Sequence, residues 1–432
     1  MREVDLRGAV TASRVNAAIP RALVDIAAAT EQVTPIIVDV EKNGVNALVA
    51  LAKKFDGVDP SPIRVTATEL RRALEDLDPQ LRVSIEESIS RVRMVSSASM
   101  PTGNDVNVAD GAVVSLRWQP VDSVGLYVPG GKAVYPSSVV MNVVPAQVAG
   151  VKRLALASPA QAAFGGRPHP TILATAALLG VEEVYSMGGP GAIAALAIGV
   201  SELGLEPVDV ITGPGNIYVA AAKRALKGRV GIDSEAGTTE ILIIADDSAD
   251  PYLVAHDLVS QAEHDEAAAA VLVTASQQLM DAVAEKVALV AAKTQHRERV
   301  ATALSGQQSA LVLVDDLDAA ISVANHYAAE HLEIVTQNAE LDAEKITNAG
   351  AIFLGSYSPV SLGDYMAGSN HVLPTGGQAR HASGLGVHTF LKPQQIVNYG
   401  KTALEDISNK IDTFAIAEGL NAHGDAVRAR FE

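Results

Sequence analysis

A carboxylate next to an imidazole can divide the work of moving protons. The chain places one such pair, Glu330-His331, in Ala-Glu-His-Leu-Glu-Ile at 329–334. The pair falls where a predicted helix hands over to a predicted strand, at or one residue off the carboxyl-end region where α/β sheets hold ligands. For any one of the ten histidines taken alone, a satisfied structural or surface role is the commoner reading. Gln261 and His264, three apart, share a face of another predicted helix. Asp364 and His371 share a predicted loop, where simple turn chemistry is the plainer reading. Imidazole and carboxylate without thiolate suit zinc or a divalent ion of similar taste, although spacing alone does not single out the amide of Gln261 as a ligand. Glycine turns at Gly130-Gly131, Gly188-Gly189 and Gly213-Pro214-Gly215 lie between a strand's end and a helix's start. Free backbone N–H groups gather there and suit a phosphate. None completes a GxGxxG pattern, since Tyr218 replaces the third glycine of the last, and any tight βα turn prefers glycine.

The elements that must carry these residues follow a βα rhythm from about Val121 onward. Strands are expected at 124–128, 153–157, 183–187 and 208–212, with helices between them and a helix at 217–226. A second run expects strands at 241–245, 269–274, 311–314 and 332–335 and helices at 251–263, 278–290 and 319–330. Before this, residues 1–120 read mostly as helix. Asp78-Pro79 opens one that runs towards Ser99, and Ser137-Ser138 can cap a helix through Met141 and Val148. The fold class expected is α/β: two Rossmann-like doubly wound parallel-sheet domains, with a helical N-terminal region and an extended C-terminal tail. The expected boundaries are an arm at 1–26, a first, discontinuous Rossmann-like domain from 27–120 and 236–374, a second at 121–235, and a tail domain at 375–432.

Composition narrows the chemistry. With 432 residues, 48% hydrophobic and 19% charged, the chain has an ordinary globular make-up and length for several cores. A net charge of −17 argues against nucleic acid or an anionic membrane as the main partner. No cysteine is present, which excludes disulfides, thiolate zinc sites and cysteine-ligated clusters. It also excludes oxidation of an aldehyde through a cysteine thiohemiacetal. The first ten residues mix charges without an apolar core, so no secretory signal is expected, and no apolar run approaches the ~18 residues of a membrane span. A soluble cytoplasmic protein is expected.

Together, several segments resemble the L-histidinol dehydrogenase family. They are Val-Gly-Leu-Tyr-Val-Pro-Gly-Gly at 124–131, Thr-Gly-Pro-Gly-Asn-Ile-Tyr-Val at 212–219, Ser-Gln-Ala-Glu-His-Asp at 260–265, and the 329–334 segment. Gly-Asp-Tyr with Gly-Ser-Asn-His-Val-Leu-Pro-Thr spans 363–375, and Glu-Gly-Leu-Asn-Ala-His is 418–423. The resemblance implies oxidation of L-histidinol to L-histidine by way of L-histidinaldehyde, the last step of histidine biosynthesis, using two NAD and one zinc ion (Zn2+) per subunit. It makes Gln261, His264, Asp364 and His423 metal ligands and Glu330 and His331 the acid–base pair. It puts Thr239, His331, His371 and Glu418 against the substrate along with the ligands, and Tyr127, Gly191 and Asn216 on the NAD side, in the 121–235 unit. It also implies an intertwined homodimer whose tail completes the neighbouring site. Two positions depart from the family's habit: Thr239 stands where serine is frequent and keeps the hydroxyl, and Gly191 stands where a glutamine often contacts NAD. A metal-dependent hydrolase on an α/β scaffold would use the same ions and carboxylates. A ligand-binding scaffold that had lost its chemistry would show erosion among Glu330, His331 and the four candidate ligands, and all six are present.

Overall fold

Near-continuous Val, Ile, Leu and Ala runs between glycine turns dictate strands buried on both faces, and such strands assemble in parallel. The computed structural model describes residues 1–22, 25–130, 134–235 and 237–432; Gly131, of the first expected glycine turn, lies outside them. In chain order the strands are β1 Arg2–Asp5, β2 Asn104–Ala109, β3 Ala112–Pro120, β4 Ser123–Tyr127, β5 Arg153–Ser158, β6 Glu183–Ser186 and β7 Val210–Thr212. They continue as β8 Gly231–Ile232, β9 Glu240–Ala245, β10 Ala269–Thr274, β11 Ala310–Leu313, β12 His331–Val335, β13 Ala351–Leu354 and β14 Leu391–Tyr399. A five-stranded parallel sheet has the order β6-β5-β4-β7-β8, and a six-stranded parallel sheet the order β1-β11-β10-β9-β12-β13. The expected fold class, two doubly wound parallel sheets, is the observed one.

The expected grouping of 27–120 with 236–374 needs correction. Helix Ile26–Phe55, bent at Gly44, lays Val33, Val40 and Leu48 against helices Gly189–Ile198 and Ile217–Leu226. Helix Gly189–Ile198 is apolar on every side, so its outer face needs a cover, and the N-terminal helix supplies it. Helix Ala67–Glu75 packs on Pro170–Leu178, and Pro79–Ala98 packs on Pro136–Ala149. The N-terminal helices therefore complete the five-stranded unit. Residues of the expected arm join the other unit, because β1 pairs with β11 at the edge of the six-stranded sheet.

Residues 104–120 are not helical. They form a hairpin, β2 and β3, and β14 from the tail pairs along β3 from Leu391↔Pro120 to Tyr399↔Ala112. β2 is exposed along its whole length, so burial writes no strong alternation into it. The tail then continues as helices Lys401–Ala417 and Asn421–Arg428, interrupted at Gly419. Helix Pro136–Ala149 starts before Ser138, which is buried in its first turn instead of capping it. Among the described residues no helix is long and apolar enough to cross a membrane.

Candidate active site

β9 and β12 are neighbours, with His331 opposite Ile241, so the residues around their starts meet. Glu330 Oε2 accepts from Thr239 Oγ1 at 2.5 Å and from the Glu240 N–H at 3.0 Å. Gln261 Nε2 donates to the same Thr239 Oγ1 at 2.7 Å, so one hydroxyl links the amide to the carboxylate. That is the hydroxyl that threonine shares with serine. His331 Nδ1 lies 3.7 Å from Glu330 Oε2. Helix Pro251–Ala262 ends with Gln261 at its last turn, and His264 follows in the loop. Asp364 sits on the short helix Val360–Tyr365, whose first N–H, that of Val360, is held by Glu333 Oε1 at 2.9 Å. Asp364 lies 4.0 Å from His264 Nε2 through one oxygen and 4.0 Å from His371 Nδ1 through the other.

Burial drives the two proton-handling groups in opposite directions. It pushes the Glu330 carboxyl up to about 8, against the Thr239 and Glu240 hydrogen bonds that favour its ionised form. It pushes the His331 imidazole down to about 3, with the His264 ring adding to the effect. Near neutral pH this leaves an uncharged imidazole able to take a proton beside a carboxyl that still holds one. Behind them lies a cluster that sequence reading missed. Buried Glu240 is bound by Arg21 Nε at 2.8 Å and by the Tyr327 hydroxyl at 3.3 Å, and the Arg21 guanidinium lies over the Tyr327 ring. Glu240's backbone N–H is the one that holds Glu330. Nothing in the sequence pairs Arg21 with a residue so far along the chain.

The expected carboxyl-end placement fails for this half of the site. Glu330 immediately precedes β12 and His331 opens it, Thr239 precedes β9, and Gln261 lies ahead of β10, so all stand at the amino edge of the six-stranded sheet. The expectation took a helix-to-strand junction for a strand-to-helix one. Gly130, Gly188-Gly189 and the Gly213–Gly215 turn do lie at carboxyl edges, those of the five-stranded sheet. β4 and β7 are adjacent where the strand order reverses, the usual crevice for a nucleotide. Tyr127 Oη accepts from the Gly189 N–H at 3.0 Å, tying the turn after β6 to the end of β4, and burial pushes its phenol up to about 12. Asn216 Oδ1 caps helix Ile217–Leu226 by accepting from the Tyr218 and Val219 N–H groups. Gly191 is buried, and a Cβ there would fall 2.7 Å from Leu51 Cδ1, so this position offers backbone alone. The two halves touch where His371 Nε2 and Ser138 Oγ lie 3.2 Å apart.

The single chain does not bring every candidate together. Glu418 and His423 are exposed on the tail, and no hydrogen bond or ion pair among the described residues joins them to the others. Among the described residues no three His, Asp or Glu side chains stand at metal-holding separations. Gln261 contributes a different sign: its Oε1 is buried without a hydrogen-bond partner. A buried acceptor left in that way calls for a cation or a donor from elsewhere.

A family model described as histidinol dehydrogenase matches residues 19–431. The histidinol dehydrogenase of Leifsonia xyli subsp. xyli is 58% identical over 100% of this chain and 99% of its own. That of Thermobifida fusca is 56% identical over 99% and 97%. The crystal structure of histidinol dehydrogenase from Elizabethkingia anophelis is 33% identical and superposes with a TM-score of 0.94, covering 100% of this chain and 98% of that one.

Proposed function

The chain belongs to the histidinol dehydrogenase family, and from that premise we propose a four-electron oxidation of L-histidinol to L-histidine at a zinc site completed by a second copy of the chain. The observation that carries the reading is the Gln261–Thr239–Glu330 chain, buried at both ends, beside neutral His331, with the Gln261 oxygen unpartnered. The amide oxygen, the Asp364 carboxylate and the His264 imidazole, with His423 from the second copy, make two oxygen and two nitrogen donors, a set that suits zinc. Zinc, when bound, supplies a Lewis acid and a template that orients the substrate. Tyr127 and Asn216, flanking the crevice between β4 and β7, would hold NAD, which would supply the hydride acceptor for both oxidations. The family membership favours this oxidoreductase over a hydrolase built from the same ions.

The remaining chemistry belongs to the chain. His331, uncharged near neutral pH, takes the alcohol proton as the first hydride leaves. With no cysteine to attack the aldehyde, water is the nucleophile of the second half, and ionised Glu330 takes its proton. The Thr239 and Glu240 bonds favour that ionised form. His371, fixed by Ser138 and by the Asp364 backbone oxygen, lies where the substrate bridges the two halves. Glu418 and His423 reach the site from the partner, and exposed Phe414, Ile416 and Leu420 beside them give the tail an apolar surface to bury there. A cytoplasmic setting, where NAD is held, goes with this reading.

Histidinol-dependent reduction of NAD tests the proposal. A chelator is expected to abolish it while far-ultraviolet circular dichroism keeps most of its amplitude, because each unit has its own apolar core. Full activity after chelation would remove zinc from the reading. Global unfolding would mean that the cores need it.

A further inference from the structure

We propose that the buried pair Lys223–Asp233 is a positioning device for the cofactor turn, an inference that rests on assigning that turn to NAD. The two side chains are 2% and 4% exposed, and Lys223 Nζ lies 2.6 Å from Asp233 Oδ1. Lys223 Nζ also donates to the Gly213 carbonyl at 2.5 Å, and Asp233 Oδ2 accepts from the Gly213 N–H at 2.8 Å. Both backbone polar groups of one glycine are thus gripped by the two ends of one ion pair. Asp233 Oδ1 takes the Ser234 N–H as well, at 2.7 Å, so the carboxylate has donors on both oxygens.

The gripped glycine is the one that sets the crevice. Gly213 has φ +116°, and a Cβ there would lie 1.9 Å from the Tyr127 carbonyl, so the turn after β7 presses on the carboxyl end of β4. Three residues on, Asn216 caps helix Ile217–Leu226, and Lys223 stands on that helix. Lysine is almost never fully buried unless paired, and a buried ion pair is weak evidence for stability, since apolar replacement of both partners is frequently neutral. Here each charge is spent on a backbone group of the turn. The pair holds in place, before any ligand arrives, the distance between Tyr127 and Asn216 across which a dinucleotide would lie. Preorganisation of this kind shows in affinity for the ligand that uses the turn and not in the chemistry of the other substrate.

The measurement is steady-state kinetics of the zinc-loaded dimer with each substrate varied. In Lys223→Met/Asp233→Asn, which removes both charges with little change of volume, KM for NAD rises about tenfold, while KM for L-histidinol and kcat at saturating NAD stay within about twofold. Lys223→Gln/Asp233→Asn, which keeps a donor and an acceptor, lies between that variant and the parent. It also supplies the readout if the first variant does not fold. Unchanged KM for NAD in a folded variant, whatever happens to its melting temperature, overturns the proposal, as does an equal rise for both substrates. Asn216→Ala separates the two assignments. Weakened NAD use there, with none in the pair variants, refutes the pair alone. Unchanged NAD use in all of them refutes the assignment of the turn to NAD.

Discussion

Purified heterodimers carrying His264→Ala in one chain and His423→Ala in the other are expected to regain about half of the parent turnover, with either homodimer inactive. His264 lies with Asp364 beside the buried Glu330–His331 pair, whereas His423 is exposed on the last helix and, among the described residues, has no bond to that cluster. If the tail serves the partner's site, one site of the mixed dimer collects both lesions and the other collects none. If the tail serves its own site, each site keeps one lesion and nothing is recovered. The structure favours the first arrangement because the tail buries little against its own chain. Phe414 is 71% exposed and Ile416 61%, and β14 ties the tail to the thin sheet at one edge only. Mixed dimers without activity would refute the shared site and leave the family assignment standing.

Glu330→Gln is expected to cut oxidation of the aldehyde by about 10²- to 10⁴-fold and alcohol oxidation by less, and His331→Asn to do the reverse. Only the second half-reaction needs an activated water, and only the first removes the alcohol proton. Rates measured from histidinol and from histidinaldehyde separate the two, and equal losses on both substrates for both variants would sink the division of labour. The pH dependence follows from burial. The base form of Glu330 appears as pH rises through about 8, so the aldehyde rate climbs there, and this limb is missing in Glu330→Gln. The same carboxyl carries a cost to the fold. Its folded value stands above its usual 4.5, so it costs nothing well below pH 4.5. The cost grows between 4.5 and about 8 and stays constant above that. Glu330→Gln should therefore raise the melting temperature of metal-free protein more above pH 8 than near pH 5, by the equivalent of about 1–4 kcal/mol. A variant no more stable than the parent at either pH would contradict the burial argument.

Local signals made the βα order legible. Helix Ile217–Leu226 and strand Ala269–Thr274 fall at the expected residues, because Asn216 caps the one and apolar β-formers fill the other. What a segment packs against was not legible. The N-terminal helices have amphipathic patterns that fit either unit, and only the all-round apolar helix Gly189–Ile198 hinted that something must cover it. The hairpin of β2 and β3 was missed although Asp110-Gly111 at its tip is a strong turn signal, because its strands bury too little to show a clear alternation. Motifs point to the candidate acid–base pair and the candidate ligands, but their arrangement at the amino edge of a sheet depends on the neighbouring β9 and on Thr239. Gly191 was legible as a lost side chain; Leu51, which fills the space, was not. The clusters that brace the site, Arg21–Glu240–Tyr327 and Lys223–Asp233, join residues that no local pattern connects, the first of them across more than 200 positions.

The most direct test is the number of NADH formed for each L-histidinol consumed, with an aldehyde trap present and absent. Two NADH per histidinol, with L-histidine as product and little aldehyde trapped, is the expected result of one site that uses His331 and Glu330 in turn. One NADH per histidinol, with histidinaldehyde recovered as the main product, would contradict it.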